Sequence, residues 1–127
     1  MIYGIGTDIV SIPRIAALLA RHGERAATRL LAETEMAAFS AHNDPARLLA
    51  KRFAAKEAFA KAAGTGLRAP VAFANIAVTH NDLGQPQFRF APQLQSWLDA
   101  RGVTASHLSI SDEVETVVAF VILEGGA

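Results

Sequence analysis

The sequence contains no cysteine in its 127 residues. This absence excludes disulfide bonds, a thiolate nucleophile and cysteine-ligated zinc, and it leaves oxygen and imidazole ligands for any metal. The four histidines are His22, His42, His80 and His107, and their positions lack the spacing of metal-ligand pairs. We therefore expect a metal site, if the chain has one, to use oxygen ligands and to hold a hard cation such as Mg²⁺ or Ca²⁺.

Long apolar runs and an excess of one charge are also missing. No stretch reaches the length of apolar sequence that crosses a bilayer, and the N-terminus has no export signal, so we expect a cytoplasmic protein without a membrane partner. Twelve basic residues balance twelve acidic ones. The single Trp97 lacks the interleaved basic residues of a base-stacking surface, and no nucleic-acid partner is expected.

The pattern that is present is that of one α+β domain. A chain of this length supports a single core, so we predict one domain over residues 1–127. Hydrophobic periodicity and turn residues predict helices packed against antiparallel strands. The predicted strands are 2–10, 76–80, 87–90, 107–111 and 116–123, and the predicted helices begin near 12, after 23, near 34, at 45 and at 92.

The clearest predicted helix carries two charged residues one turn apart. Asn43-Asp44-Pro45 is a capping sequence, and the segment from there to Gly64 is rich in helix-forming residues. Glu57 and Lys61 are four residues apart and share one face of this helix. By itself, this spacing is typical of a surface ion pair worth about 0.3 to 0.5 kcal/mol.

Neighbouring residues suggest a metal and a phosphate. Asp8 lies at the end of a hydrophobic strand, and two carboxylates from different elements, Asp8 and Glu57, can hold Mg²⁺ together with waters and substrate phosphates. Arg52 and Lys61 can neutralise phosphates, and Gly64-Thr65-Gly66 allows the backbone to approach them closely. This loop follows its helix and is not succeeded by Lys-Ser or Lys-Thr, so it is not a Walker loop.

These motifs resemble those of the phosphopantetheinyl transferase family, in particular its small stand-alone members. Two motifs at the family's separation make the resemblance specific, and it spans nearly the whole chain. The matching segments are Gly4 to Val10 with Arg14-Ile15, Arg52 to Lys61 with Gly64-Thr65-Gly66, Gly84-Gln85-Pro86, and Leu108 to Ser111.

The resemblance implies that the 4′-phosphopantetheine group of coenzyme A is moved to a serine of an acyl carrier protein, with release of 3′,5′-ADP and in support of fatty acid biosynthesis. It implies that Asp8 and Glu57 bind Mg²⁺ with the coenzyme A pyrophosphate, and that Lys61 assists the leaving group. It also implies that Arg52, Lys61 and Gly64-Thr65-Gly66 bind coenzyme A.

Three arginines suggest a surface for the acidic carrier protein. Arg14, Arg21 and Arg25 are separated by seven and four residues, and they fall within about 40° of one another if the first helix continues past Gly23. Such a stripe is usually a solvated face, but the resemblance favours carrier-protein docking. Similar stand-alone members form trimers with active sites between subunits, so a homotrimer is expected.

The identity of the base and the role of Asp112 stay open. Glu57 is one candidate for accepting the serine proton, and a water held by Glu35 is another. Many family members have histidine where this chain has Asp112. An aspartate beside phosphates would repel them, so Arg52 or Lys56 would have to compensate.

Two alternatives to this function remain. In the first, the chain is a non-catalytic interaction domain in which Glu57 and Lys61 are only surface charges. In the second, it is a related Mg²⁺-dependent transferase that acts on a different acceptor.

Overall fold

The computed structural model describes residues 1–126. Three antiparallel strands form one sheet in the order β1-β5-β4, and β2 and β3 form a second sheet. The strands are β1 (Ile2–Ser11), β2 (Ile76–His80), β3 (Pro86–Phe90), β4 (Val103–Asp112) and β5 (Thr116–Gly125). The helices are α1 (Ile12–His22), α2 (Glu24–Leu30), α3 (Met36–Ala41), α4 (Pro45–Ala63) and α5 (Pro92–Ala100). The α+β prediction is confirmed.

Helix α4 is the central element, and its ends follow the predicted signals. The side chain of Asp44 accepts a hydrogen bond from the Arg47 N–H, and Pro45 occupies the first turn. Gly64, at φ +85°, ends the helix in the left-handed conformation that glycine adopts most readily. Between these caps α4 packs on β1 and β5, and seven of its twelve buried residues are alanine. Small side chains allow this sheet to lie close to the helix axis.

Two glycines in β1 make that approach closer still. A Cβ atom on Gly4 would lie 1.9 Å from the carbonyl oxygen of Ala62, and a Cβ atom on Gly6 would lie 1.9 Å from the carbonyl oxygen of Ala58. Real Cβ atoms are essentially never that close to another atom. The β1 backbone therefore rests directly on α4, and this contact places Asp8 opposite the second half of the helix.

The largest difference from the predicted strand bounds is at the start of β4, and the end of α1 decides whether the three arginines form one stripe. Strand β4 begins at Val103, four residues before the predicted start, because pairing with β5 extends the strand into a polar segment whose pattern is weak. Helix α1 ends at His22, since Gly23 adopts φ +60° and its N–H bonds back to the Leu19 carbonyl oxygen. Arg14, Arg21 and Arg25 therefore do not lie on one continuous helix, because Arg25 belongs to α2.

The outer face of the β1-β5-β4 sheet carries a patch of exposed apolar side chains on β1 and β5. Ile9 pairs with Val118 and Thr7 pairs with Phe120, so their side chains share that face. Ile5, Ile9, Val118 and Phe120 are each at least 38% exposed. In the described part of the chain, residues 1–126, no helix is long and apolar enough to cross a membrane.

Candidate active site

The three residues predicted to carry the chemistry meet where β1 crosses α4. The Lys61 ammonium donates to Asp8 Oδ1 at 3.1 Å and to the Thr7 carbonyl oxygen at 2.9 Å. Among residues 1–126, the ion pair of Lys61 is with Asp8 rather than with Glu57. The helix pair suggested by the spacing is therefore replaced by a contact between elements 53 residues apart in sequence.

Asp8 and Glu57 of the same chain line one cavity of about 380 Å³. Its other lining residues include Arg14 and the apolar side chains of Ile15, Leu18, Leu30 and Phe53. Burial and the neighbouring negative charge of Asp8 raise the pKa of Glu57, although the charge of Lys61 opposes this rise. Two carboxylates whose negative charges act on each other favour the binding of a cation between them.

The donor set fits Mg²⁺. This ion is usually held by one or two carboxylates, with waters and substrate phosphates completing its octahedral shell. Asp8 and Glu57 supply that number of carboxylates. No cluster of three or more acidic or histidine side chains able to enclose a metal occurs within residues 1–126. The site therefore suits an ion that is coordinated partly by substrate phosphates. It lacks the larger set of protein ligands that a structural metal site has.

The predicted glycine loop lies one turn beyond Lys61. Gly64 and Gly66 have φ +85° and +64°, and the Gly66 N–H donates to the Ala60 carbonyl oxygen at 3.2 Å. The Thr65 hydroxyl donates to the Gly66 carbonyl oxygen at 2.8 Å. The loop is thus held next to Lys61 with exposed backbone. Its binding to coenzyme A stays a prediction.

Arg52 does not join this site. It precedes Lys61 by nine residues, which at 100° per residue places it on the opposite side of α4. It is 8% exposed, and its guanidinium donates to Glu35 Oε2 at 2.9 Å and to the Val78 carbonyl oxygen at 2.6 Å. The expected contact of Arg52 with coenzyme A phosphates is therefore not supported, because it would break a buried ion pair.

Glu35 is equally unsuited to the role of base. It is 3% exposed, and its carboxylate accepts hydrogen bonds from Lys56 and from the Ala32 and Val78 N–H groups. Burial alone would raise the pKa of Glu35, but the Lys56 ammonium and these backbone donors bring it below its ordinary value. A fully bonded carboxylate with a lowered pKa, which does not line the cavity, is a poor proton acceptor.

Asp112 is neutralised by residues that the sequence did not single out. Its carboxylate lies 2.7 Å from Arg47 Nη1 and 3.4 Å from Lys51 Nζ. Arg47 also donates to the Glu113 and Val114 carbonyl oxygens, so it ties the β4–β5 turn to α4. The expectation that Arg52 or Lys56 compensates for Asp112 is wrong. The sequence offered no signal for the true partners, since Arg47 and Asp112 are 65 residues apart.

Two of the three predicted arginines line cavities, and Arg21 lines neither of the two. Arg14 lines the cavity of Asp8 and Glu57, whereas Arg25 lines a second one of about 390 Å³ between α1 and α2. The two cavities share Leu18 and Leu30. Further lining residues of the second cavity are His22, Ala26 and Arg29. Sequence reasoning missed Arg29, although it lies one helical turn after Arg25 and repeats its charge.

Comparison with known proteins shows the family. The model of the 4′-phosphopantetheinyl transferase superfamily matches residues 4–119. A holo-[acyl-carrier-protein] synthase of Laribacter hongkongensis is 59% identical over 125 residues, which cover 98% of this chain and 100% of that protein. That of Nitrosomonas europaea is 58% identical over 98% of this chain and 99% of its own length.

Solved structures agree. The crystal structure of holo-[acyl-carrier-protein] synthase from Neisseria meningitidis matches with a TM-score of 0.95 and 52% identity, covering 98% of this chain and 99% of that one. The synthase from Bacillus anthracis, solved in complex with CoA (3′,5′-ADP), matches with a TM-score of 0.80 and 36% identity over 99% of both chains. The chain therefore belongs to the 4′-phosphopantetheinyl transferase superfamily and, within it, to the holo-[acyl-carrier-protein] synthases.

Proposed function

We propose that this chain transfers the 4′-phosphopantetheine group of coenzyme A to a serine of apo acyl carrier protein in a Mg²⁺-dependent reaction that releases 3′,5′-ADP. The observation that carries the proposal is the meeting of Asp8, Glu57 and Lys61 where β1 crosses α4. Two carboxylates that line a cavity, with an ammonium bonded to one of them, match the needs of phosphoryl transfer, which depends on positioning and on charge stabilisation.

Each of these side chains has a distinct proposed role. Asp8 and Glu57 would hold Mg²⁺ with the pyrophosphate of coenzyme A. When bound, Mg²⁺ would polarise the phosphoryl oxygens as a Lewis acid. Lys61 is half exposed, and its ammonium can turn from Asp8 towards the pyrophosphate. There it would stabilise the oxygen that leaves with 3′,5′-ADP, where negative charge builds up in the transition state.

The serine proton is proposed to leave through Glu57. In the reaction, the serine oxygen forms a bond to phosphorus while the bond from phosphorus to the 3′,5′-ADP oxygen breaks. The raised pKa of Glu57 makes its carboxylate a better proton acceptor than an ordinary glutamate. A glutamate that also holds a metal loses basicity, so transfer through an intervening water is the second route. Glu35 is not part of either route.

The carrier protein is proposed to dock on α1 and α2. Arg14 lies in the wall of the cavity that holds Asp8 and Glu57. Arg21 is exposed on α1, and Arg25 is exposed on α2. These arginines give α1 and α2 a positively charged surface beside the cavity of the two carboxylates. An acidic carrier protein would be attracted to this surface, and its serine would enter the cavity lined by Asp8 and Glu57.

The experiment that tests the function is intact-protein mass spectrometry. Apo acyl carrier protein is incubated with coenzyme A, Mg²⁺ and this protein, beside a Glu57→Ala variant and a sample without metal. We expect the mass of one phosphopantetheine to be added only in the complete wild-type reaction. No addition to any of several carrier proteins would overturn the proposal. If a small molecule is modified instead, the alternative of a transferase with a different acceptor is correct.

We also propose that the chain assembles as a homotrimer through the outer face of the β1-β5-β4 sheet. The support is the exposed apolar surface formed by Ile5, Ile9, Val118 and Phe120, since patches of this kind mark protein interfaces. The expected result is a mass of three chains by light scattering, reduced to one chain by Phe120→Glu. A wild-type monomer at micromolar concentration would contradict it. Location in the cytoplasm and a role in fatty acid biosynthesis stay predictions.

A further inference from the structure

Three charged side chains are buried behind the site and take no part in the proposed chemistry. Glu35 is 3%, Arg52 is 8% and Lys56 is 0% exposed; we call these three the buried charge cluster. The Lys56 ammonium donates to Glu35 Oε1 at 2.5 Å, to the Leu30 carbonyl oxygen at 2.9 Å and to the Phe73 carbonyl oxygen at 3.1 Å. All three N–H bonds of the ammonium are therefore used.

The carboxylate at the centre of the cluster is just as fully bonded. Oε1 of Glu35 accepts from Lys56 and from the Ala32 N–H, and Oε2 accepts from Arg52 and from the Val78 N–H. Buried ion pairs are often no more stabilising than apolar side chains of similar volume. Stability alone is thus a weak reason for burying these charges. Their hydrogen bonds are directional, so we ask which parts of the backbone they hold in place.

One Lys56 acceptor belongs to a residue that lines the cavity, and another belongs to a residue that supports the lining. Leu30 lines the cavity beside Asp8 and Glu57. The Phe73 ring stacks on Phe53 with 5.8 Å between centroids, and Phe53 lines the same cavity. The Lys56 ammonium therefore holds the backbone of Leu30, which lines the cavity, and of Phe73, which supports the lining residue Phe53.

We infer that Lys56 is a positioning residue for the acceptor substrate. By holding the Leu30 carbonyl it fixes the end of α2, the helix that carries Arg25, over the entrance to the cavity. This inference rests on the proposed function, in which the carrier serine enters there. Of the predicted contacts of coenzyme A, Arg52 belongs to the cluster and is turned away from the cavity. The other two, Lys61 and the loop beginning at Gly64, are held by β1 and by the α4 C-cap, so they do not depend on the cluster.

The test is Lys56→Met, which keeps the length of the side chain and removes its donors. We expect the KM for apo acyl carrier protein to rise about tenfold, because hydrogen bonds from a charged group are lost. The KM for coenzyme A should stay within about a factor of two. In the free protein, amide hydrogen exchange should accelerate in residues 24–35 and stay unchanged in 116–123. The matched control is Lys51→Met, a partly exposed lysine of the same helix, for which neither readout should move.

Several results would overturn the inference. One is unchanged hydrogen exchange in residues 24–35. Another is a fall in kcat that follows the folded fraction while both KM values stay constant, which is the signature of a purely structural lysine. If Lys56→Met does not fold, Glu35→Gln keeps the side-chain shape and must raise the carrier KM in the same direction. The exchange measurement needs no substrate, so it separates failure of this inference from failure of the proposed function.

Discussion

Replacing Gly6 by alanine should damage the fold and the site together. The new Cβ would lie 1.9 Å from the Ala58 carbonyl oxygen and 2.7 Å from the Ala62 nitrogen, whereas ordinary contact begins at 3.4 Å. Strand β1 and helix α4 would therefore have to move apart by roughly 1 Å or more. Forced overpacking of this kind costs about 1 to 3 kcal/mol. For a domain of this size, we expect the melting temperature to fall by roughly 5 to 15 °C.

The same displacement should lower the rate of transfer. Asp8 follows Gly6 by two residues, and its carboxylate is 3.1 Å from the Lys61 ammonium on the opposing helix. Separation of the two elements pulls Asp8 away from both Lys61 and Glu57. Since a misplacement of about 1 Å can cost on the order of a hundredfold in rate, we expect a loss of that size even in the fraction that is folded.

Calorimetry and the mass-spectrometric transfer assay measure the two effects. Gly126→Ala is the matched control, because a Cβ atom at that position would meet nothing within 4 Å, and it should behave as the wild type does. A Gly6→Ala protein with the wild-type melting temperature and rate would refute the reasoning. That result would mean that β1 does not rest on the backbone of α4.

Three further predictions concern charge. Because burial and Asp8 raise the pKa of Glu57, the contribution of Glu57 to the stability of the metal-free protein becomes less favourable as pH rises above about 4.5. Calorimetry should show Glu57→Gln melting higher than wild type at neutral pH and equal to it near pH 4. Arg21→Ala should raise the KM for carrier protein, by less at high salt, and leave the KM for coenzyme A unchanged; equal changes in both would contradict the docking surface. Burial raises the pKa of Asp112, but Arg47 and Lys51 lower it overall. Asp112→Asn should therefore reduce the free energy of unfolding by roughly 1 kcal/mol or less at neutral pH. This difference between variant and wild type should disappear as pH falls through the lowered pKa of Asp112. An unchanged melting curve at neutral pH would show that the Arg47 contacts contribute nothing.

The sequence by itself determined the main helices and strands and the candidate site residues. Capping signals act within a few residues, which is why the ends of α4 at Asp44 and Gly64 could be predicted. Residue chemistry also singled out Asp8, Glu57 and Lys61, because an acid in an apolar strand and a charged pair on a helix are unusual in combination. The structure brings these three together, as the prediction of a shared site requires.

Only the tertiary structure decided how other charges are used. The nine-residue spacing puts Arg52 and Lys61 on opposite sides of α4, but the packing of α4 decides that Arg52 meets Glu35 in the interior and Lys61 meets Asp8 at the surface. The partner of Asp112 was equally hidden, because Arg47 is brought near it by the packing of α4 against the sheet. Which charges meet is set by the packing of elements that are distant in sequence. Residue types and local spacing do not give the distance between two such elements.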